Sequence, residues 1–218
     1  RHKFGEKNEN KRTISLFKNI FGGIGMEKTL DEKLREIEKV ITSEDFREMK
    51  GLSNEVAYYI FDYPPVEELK VRKYLKELEE KFKTIPQGFE LKIYDLYDIM
   101  VDFIEEESLL DDCIEMEENH GMDYLINSVY ELLNMDSNDN YFTNYIIENT
   151  PDNSVIFITG VGKIYPFLRA HGVLNKLLEI FDKVPIVLFY PGKYDGLNLK
   201  LFSLFNDDHY YRALPLIR

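Results

Sequence analysis

The chain has 218 residues, of which 44% are hydrophobic and 14% aromatic, and this is enough apolar material for one domain with a buried core. Its net charge of −13 argues against a general DNA- or RNA-binding protein, because affinity for nucleic acid comes chiefly from Lys and Arg side chains on phosphates. No apolar run approaches the roughly 18 residues of a membrane-spanning helix, and no signal peptide is recognised, so we expect a cytoplasmic protein.

The only cysteine is Cys113, which permits neither an internal disulfide nor a zinc site built from several thiolates. The acidic residues around it disfavour a thiolate, so we expect an inert thiol. The four histidines are far apart, none lies in a metal-binding pattern, and no serine has the sequence context of a nucleophile. We therefore expect no metal, no cofactor and no nucleophilic catalysis.

Residues 1–25 differ in charge from the rest of the chain. They contain six basic and two acidic residues, a charge of +4 that leaves −17 for the remainder. Met26 follows a glycine-containing stretch, so we interpret residues 1–25 as a basic leader or a segment added for expression, and residues 26–218 as a single α/β domain. The alternative is a basic arm that contacts nucleic acid.

The N-terminal half of the domain alternates between helical and extended patterns. Apolar residues recur at helical spacing between charges after Leu30, and Ser43 is placed to cap a short second helix. The run VAYYIF is rich in β-branched and aromatic residues, which is typical of a buried strand. In chain order we predict helices over Leu30–Thr42 and Ser43–Met49, a strand over Val56–Phe61, a helix over Pro65–Phe82 with Leu69 on its inner side, a strand over Phe89–Tyr94, and a helix from Asp95 through Ile104.

An acidic run follows these elements. From Asp102 to Glu118 the chain holds nine acidic residues and no Lys or Arg. Such a run is usually the solvated face of a helix. The alternatives are a docking surface for a basic partner or a divalent-metal site, which the spread of the acids around the helix disfavours. The candidate contact residues are Glu105, Glu106, Asp111 and Asp112. Two further helices are predicted, over Met122–Leu133 and Tyr141–Glu148.

The C-terminal half is organised around one β-α-β unit. Val155–Thr159 is an apolar strand that Gly160 and Gly162 interrupt, Pro166 suits the first turn of the following helix, and Val184–Tyr190 is a second apolar strand. The right-handed crossover of such a unit makes its two strands parallel.

The element order predicts the fold class. Strands and helices alternate as β-α-β-α-α-α-β-α-β, which is typical of an α/β protein with a mostly parallel, Rossmann-like sheet flanked by helices. The N-terminal helices precede the first strand. A last strand over Tyr210–Ile217 would lie antiparallel at an edge of the sheet, where Pro215 is tolerated.

The loop from Thr159 to Lys163 matches a nucleotide-binding loop only in part. A P-loop needs four residues between its glycines and a Ser or Thr after the Lys, whereas this loop is shorter and has Ile164 at that position. A dinucleotide-binding fingerprint needs a third glycine where Tyr165 stands. The glycines are therefore interpreted as a tight turn, although Lys163 and the N–H groups of the loop could hold an anion.

Ligands of open parallel sheets bind beyond the carboxyl ends of the strands, so residues at these ends should meet at one edge. The candidates for a ligand or anion site there are Asp62, Thr159, Gly160, Gly162, Lys163, Tyr190 and Asp195, with Asp95 beside them. Two carboxylates and a lysine resemble parts of an acid–base or phosphoryl-transfer site, but no Walker-type loop and no metal-ligand spacing supports that chemistry.

The C-terminal segment combines aromatic and charged side chains. Tyr and Arg are the residues that anchor protein interfaces, so Tyr194, Tyr210, Tyr211 and Arg212 are candidates for a partner surface together with the acidic helix. The alternative is a turn, a short apolar helix and a strand that covers the sheet.

Two groups of residues resemble the BrxB family of bacterial BREX phage-defence systems. The resemblance covers about residues 28 to 217 and is most specific at the C-terminal block. Its residues are Thr159-Gly-Val-Gly with Tyr165-Pro166, Leu168-Arg169 and His171, Leu188 to Gly192 with Tyr194 to Gly196, Tyr210 to Ala213, and, nearer the N-terminus, Gly51-Leu52, Asn54-Glu55 and Tyr59 to Pro64.

This resemblance implies a non-catalytic component of a multi-protein defence assembly. The partners that it implies are a large AAA-type ATPase, an alkaline-phosphatase-like protein and an adenine-specific DNA methyltransferase. It carries over no catalytic residue. The leading hypothesis is therefore an adaptor that bridges components of a phage-exclusion system, and the alternative is a small nucleotide- or phosphate-binding protein or hydrolase that uses the loop from Thr159 to Lys163 with Asp62.

Overall fold

The computed structural model describes residues 28–47, 58–169, 172–173, 176–177, 184–196, 198–207 and 213–217, with only the backbone given for residues 205–207. The chain divides into two units, residues 1–33 and residues 34–218. In the first unit, Thr29 and Glu32 form a capping box: Thr29 N donates to Glu32 Oε2 over 2.8 Å, and Glu32 N donates to Thr29 Oγ1 over 3.4 Å. The predicted boundary at residue 26 lies outside the described residues.

The elements alternate along the chain in the predicted order up to the fourth strand, except that four helices, not three, separate the second strand from the third. They are α1 (Leu30–Ile41), α2 (Glu44–Arg47), β1 (Tyr58–Tyr63), a 3₁₀ turn (Pro65–Glu67), α3 (Glu68–Thr84), β2 (Glu90–Asp95), α4 (Leu96–Glu106), α5 (Leu110–His120), α6 (Met122–Leu132), α7 (Tyr141–Glu148), β3 (Ser154–Thr159), α8 (Val161–Ile164), β4 (Ile186–Tyr194), β5 (Leu199–Leu201), β6 (Phe205–Asp207) and β7 (Leu214–Pro215). Between α8 and β4, residues 172–173 and 176–177 are helical. None of the helices described is both long and apolar enough to span a bilayer.

Within the described part of the chain the strands form a mostly parallel sheet in the order β2-β3-β4-β1-β7. This confirms the predicted α/β class. The antiparallel pairing in the C-terminal part is made by β5 and β6, which extend the end of β4 as a ribbon. The last strand does lie at the edge, but it runs parallel to β1, with Leu216 N donating to Ile60 O over 2.9 Å. The orientation differs from the expectation because the chain reverses direction twice after β4.

Alternate residues of the strands face two different layers. On one face the rings of Phe61 and Phe157 lie 5.2 and 4.8 Å from that of Phe189, and Phe46 of α2 lies 4.7 Å from the ring of Tyr59. We call this face, which carries α3, the phenylalanine face. The opposite face carries an aliphatic core shared with α4, α6 and α7, to which Ile60, Ile158, Leu188, Met100, Val129 and Ile146 belong.

Two local predictions are wrong in detail. The helix predicted from Pro166 does not begin there: residues 165–169 are not helical, and the next described helical residues are 172–173 and 176–177. A separate four-residue helix, α8, precedes Pro166, because Gly160 adopts a positive φ of 77° and turns the chain directly from β3 into it. In α3, Leu69 is exposed and not on the inner side, whereas Val71, Leu75 and Leu78 are buried as predicted. Leu69 stands two residues before Val71, which at 3.6 residues per turn places it on the opposite side of the helix.

Tyr58 offers a direct test of the aliphatic core. Its side chain is buried and its hydroxyl has no hydrogen-bond partner among the described residues. We expect Tyr58→Phe to leave stability unchanged or to raise it by about 1 kcal/mol, because a buried hydroxyl without a partner costs its desolvation. Tyr94→Phe is the matched control, since Tyr94 Oη lies 2.8 Å from Thr150 Oγ1, and its loss should cost about 1 kcal/mol in urea denaturation. A larger loss for Tyr58→Phe than for Tyr94→Phe would contradict this account.

Candidate functional site

A cleft of about 320 Å³ lies on the phenylalanine face at the carboxyl edge of the sheet. The helix after β1, α3, covers this face, whereas the helices after β2 cover the other, and the cleft lies between α3 and the carboxyl ends of β2 and β3. The polar residues that line the cleft are Tyr63, Glu68, Arg72, Lys76, Glu79, Asp95, Asp98, Thr159 and Lys163. The cleft is therefore where the sequence predicts a ligand site.

Gly160 and Asp95 meet at the base of this cleft. A Cβ at position 160 would overlap Asp95 Oδ1 and lie 2.7 Å from Asp95 Cγ, and the φ of 77° is itself one that only glycine adopts without strain. Asp95 also caps α4, because its Oδ1 accepts from Tyr97 N over 3.0 Å and from Asp98 N over 3.3 Å. Glycine at 160 thus allows the carboxylate to cap one helix while it touches the start of another.

Lys163 is bound by two carboxylates of the protein. Its Nζ donates to Asp95 Oδ2 over 2.8 Å and to Asp98 Oδ1 over 2.7 Å, and it lies 5.3 Å from the centre of the Tyr97 ring. Burial by itself lowers the pKa of Lys163, but the hydrogen bonds to the two aspartates outweigh burial, so the pKa is raised above its ordinary value. The ammonium group is therefore held in its charged form by the protein itself.

A second set of paired groups lines the α3 side of the cleft. Tyr63 Oη donates to Glu68 Oε2 over 2.6 Å, and Arg72 Nε donates to Glu68 Oε1 over 2.7 Å. Burial and then the neighbouring Glu68 carboxylate raise the pKa of Tyr63 well above its ordinary value, so this phenol stays protonated. Lys76 lines the same side.

The predicted anion-site residues are divided between two places. Thr159, Gly160 and Lys163 line the cleft. The strand β1 continues to Tyr63, so Asp62 is still inside it, paired in register with Tyr190 of β4. Both side chains therefore point to the face opposite the cleft. Asp62 Oδ2 accepts instead from Tyr194 N over 3.1 Å. The expectation that Asp62 joins Lys163 is therefore wrong.

The two remaining candidates belong to the ribbon. A Cβ on Gly162 would lie 3.0 Å from the Phe202 ring and 3.2 Å from Pro191 Cγ, so this glycine lets α8 approach the ribbon closely. Asp195 is exposed in the turn between β4 and β5, where its Oδ1 accepts from Asn198 N over 2.7 Å. Gly162 therefore serves close packing and Asp195 a turn, and neither residue lines the cleft.

The candidate partner surface is also divided. Glu105, Glu106, Asp111 and Asp112 are exposed on α4 and α5. Tyr194, by contrast, is only 9% exposed and its hydroxyl donates to Ala213 O over 2.8 Å, so its side chain joins the ribbon to the C-terminal segment and is no contact surface. The predicted contacts through Tyr210, Tyr211 and Arg212 lie outside the described residues.

Sequence reasoning missed several residues of the cleft. Asp98 was not considered, although its position three residues after the helix-capping Asp95 puts both carboxylates on the first turn of α4. Tyr63, Glu68 and Arg72 carried no signal, because nothing local shows that the start of α3 and the end of β1 face β2 and β3. Among the described residues no group of three or more His, Cys, Asp or Glu could hold a metal ion.

The charges of the cleft mostly neutralise one another. Lys163 is bound by Asp95 and Asp98, and Arg72 by Glu68. An arrangement of this kind fixes the junction of β2, α4, β3 and α8, and it offers a phosphate little that is not already bound.

Comparison with known proteins bears on the same region. The family model described as "BREX protein BrxB" matches residues 92–216, from within β2 to just beyond β7. The chain belongs to the BrxB family. A protein of Bacillus cereus (strain H3081.97) named "BREX protein BrxB" is 42% identical over 188 residues, which are 86% of this chain and 97% of that protein. One of Escherichia coli O9:H4 (strain HS) with the same name is 27% identical over 188 residues, covering 86% of this chain and 92% of that protein. No solved structure matches significantly.

The BrxB match contains the groups that the geometry singles out. Asp95, Asp98, Gly160 and Lys163 all lie within residues 92–216, as does the ribbon formed by β5 and β6. Tyr63, Glu68 and Arg72, on the other side of the cleft, lie before the matched residues. The resemblance noted in the sequence is thus confirmed.

Proposed function

We propose that this BrxB-family protein is a non-catalytic adaptor in a BREX-type bacteriophage exclusion system, where it bridges other components. The names of its relatives support a role within such a system. The partners implied by the family resemblance are the AAA-type ATPase, the phosphatase-like protein and the DNA methyltransferase.

The observation that carries the non-catalytic part of this proposal is the state of Lys163. It is the lysine of the only loop that resembles a nucleotide-binding motif, and its Nζ is bound at 2.8 and 2.7 Å by Asp95 and Asp98. A lysine that served a phosphate would have to leave both carboxylates, and the two acids would then repel the phosphate. The loop therefore serves the fold, and the remaining exposed surfaces are available for partners.

The adaptor proposal is tested by reconstitution. We expect the purified chain to co-elute with at least one of the three implied components in size-exclusion chromatography, and Lys163→Met, where it folds, to retain that complex. In cells that lack the wild-type gene, the same variant should still restrict phage. A wild-type chain that binds none of the three components would contradict the proposal, as would turnover of a nucleotide or phosphate ester that Lys163→Met abolishes.

The second candidate is a small nucleotide- or phosphate-binding protein, or a hydrolase that acts on such a ligand. The position of the cleft at the carboxyl edge of a parallel sheet, with Arg72 and Lys76 in its wall, is the observation in its favour. It predicts a rise in melting temperature with millimolar nucleotide and magnesium that Lys76→Gln reduces. No rise across a panel of nucleotides would remove this candidate.

A further inference from the structure

A second concave surface lies among α4, α5 and α6, away from the polar cleft. It is a groove of about 280 Å³ whose floor is formed by the buried side chains Met100, Cys113, Leu125 and Val129. Burial and then the neighbouring Asp112 charge raise the pKa of the Cys113 thiol, so the floor is uncharged at neutral pH. We call this surface the helical groove.

The wall of the helical groove contains large apolar side chains that face solvent. Leu110 is 52% and Ile114 49% exposed, one helical turn apart on α5. Single exposed apolar residues are ordinary, but two adjacent ones in the wall of an apolar concavity are typical of a surface that a partner covers.

The charge around the helical groove is negative. Glu105 and Glu117 stand in its lining, and the sequence contains no Lys or Arg between Lys92 and Lys163, a stretch that includes all of α4, α5 and α6. Two lysines from later in the chain are engaged elsewhere: Lys163 binds Asp95 and Asp98, and Lys176 donates to the carbonyl oxygens of Met135 and Ser137. Apart from His120 at the end of α5, the ionisable groups that these helices expose to a partner at neutral pH are therefore carboxylates.

We propose that the helical groove is the docking site for a basic amphipathic helix of another component of the assembly. The proposal rests on the adaptor function and names the chemistry of its partner. Apolar side chains of the incoming helix at positions i, i+3 or i+4, and i+7 enter the groove against Leu110 and Ile114. Lys or Arg residues beside that stripe pair with Glu105 and Glu117, and the surrounding acids increase the rate of encounter.

Three properties of the site favour a helix over an extended peptide. The groove is bounded by helices, whose exposed rows of side chains accept the ridges of another helix. None of α4, α5 and α6 offers the unpaired backbone groups by which an extended strand binds to the edge of a sheet. The helix α5 carries both wall residues, Leu110 and Ile114, and the acidic lining residue Glu117, so one face of an amphipathic helix can contact both kinds of side chain.

The experiment uses the full chain and three labelled model peptides in fluorescence anisotropy. The first peptide is a helix with Leu at i, i+3, i+4 and i+7 and Lys or Arg on both flanks. The second has the same composition in an order that spreads the leucines around the helix, and the third replaces the basic residues by Glu. We expect only the first to bind in the micromolar range, with an affinity that falls as ionic strength rises.

Two pairs of variants locate the binding. Leu110→Lys with Ile114→Lys should weaken the first peptide at least about tenfold, because both anchors are lost and positive charge is introduced. Val66→Lys with Leu69→Lys is the matched control, because it adds the same two positive charges at positions that are 91% and 77% exposed and do not line the groove. Glu105→Gln with Glu117→Gln should reduce the salt dependence, whereas Glu115→Gln with Glu118→Gln, the same change of charge at exposed positions that do not line the groove, should have less effect.

Each outcome decides between the alternatives. Equal binding of the first two peptides, or unchanged binding by the double lysine variant with its circular dichroism intact, would overturn the proposal. A dimer in sedimentation velocity that Leu110→Lys with Ile114→Lys dissociates would overturn it as well, because the groove would then be filled by a second copy. The adaptor function is tested separately, with purified BREX components. If the wild type and the double lysine variant bind them equally well, the adaptor proposal stands but the helical groove is not the docking site. A wild type that binds none of them contradicts the adaptor proposal itself.

Discussion

Replacing Gly160 by Ala is expected to lower the free energy of unfolding by about 2–4 kcal/mol, through strain at a positive φ and loss of the Asp95 cap. The added Cβ would overlap Asp95 Oδ1, so the carboxylate would have to leave the backbone N–H groups of Tyr97 and Asp98. It would at the same time move away from Lys163. One methyl group therefore disturbs the start of two helices and an ion pair, and the effect should be measured by urea denaturation.

Gly88→Ala separates the two causes of this loss. Gly88 has almost the same φ, 79°, but nothing lies within 4 Å of where its Cβ would be. We expect it to cost only the backbone term, about 1 kcal/mol. Equal losses for Gly160→Ala and Gly88→Ala would show that the contact with Asp95 contributes nothing.

Replacing Lys163 by Met is expected to cost about 1–3 kcal/mol at pH 7. The side chains of Lys163 and Asp95 are 21% and 22% exposed, so removal of the cation leaves a half-buried carboxylate without its partner. The ion pair with Asp98 contributes little to this loss of stability, because the Asp98 side chain is 62% exposed and its charge is well solvated. Lys76→Met is the control: Lys76 lines the same cleft, forms no described ion pair, and should change stability by less than about 0.5 kcal/mol.

The pH dependence of the Lys163 contribution has a definite sign. The pKa of Lys163 is raised in the folded chain, so the folded state holds this proton more tightly than the unfolded state does. The stabilisation is fully present at pH values below 10.5, the ordinary pKa of lysine, and it is lost as the pH rises through the raised pKa of Lys163 in the folded chain. The stability difference between wild type and Lys163→Met should therefore stay constant up to about that pH and then shrink; a difference that grows in alkali would contradict the ion pair.

The local chemistry of the sequence predicted most elements, because it depends on residues close together in the chain. Tyr141–Glu148 was predicted with the bounds that α7 has, and the helix beginning after Asp95 was recognised from the strand that ends there. The failure of the loop from Thr159 to Lys163 to match a nucleotide motif was also readable, since it depends on the spacing of two glycines. The cap that Asp95 forms for α4 is a local interaction of the same kind.

The site could not be predicted to the same extent, because it depends on which face each strand residue takes. A strand that ends at Phe61 leaves Asp62 free to turn to Lys163; a strand that continues to Tyr63 puts Asp62 on the opposite face. Likewise, Tyr194 was placed on the surface from its aromatic and charged neighbours, but the return of the chain to β7 buries it under Ala213. The assignment of Asp62 changed because β1 is two residues longer than predicted, and that of Tyr194 changed because the chain returns to the sheet at β7.

By itself, the sequence determined the α/β class, the order of the elements, the acidic character of α4 to α6 and membership of the BrxB family. These follow from composition, periodicity and similarity, none of which depends on distant contacts. Only the tertiary structure decided that Lys163 is bound by Asp95 and Asp98, that the last strand runs parallel, and that Leu110 and Ile114 stand open beside an apolar groove. Each of these depends on packing between elements far apart in the chain or on the face of a helix that its neighbours leave uncovered, and no local pattern records either.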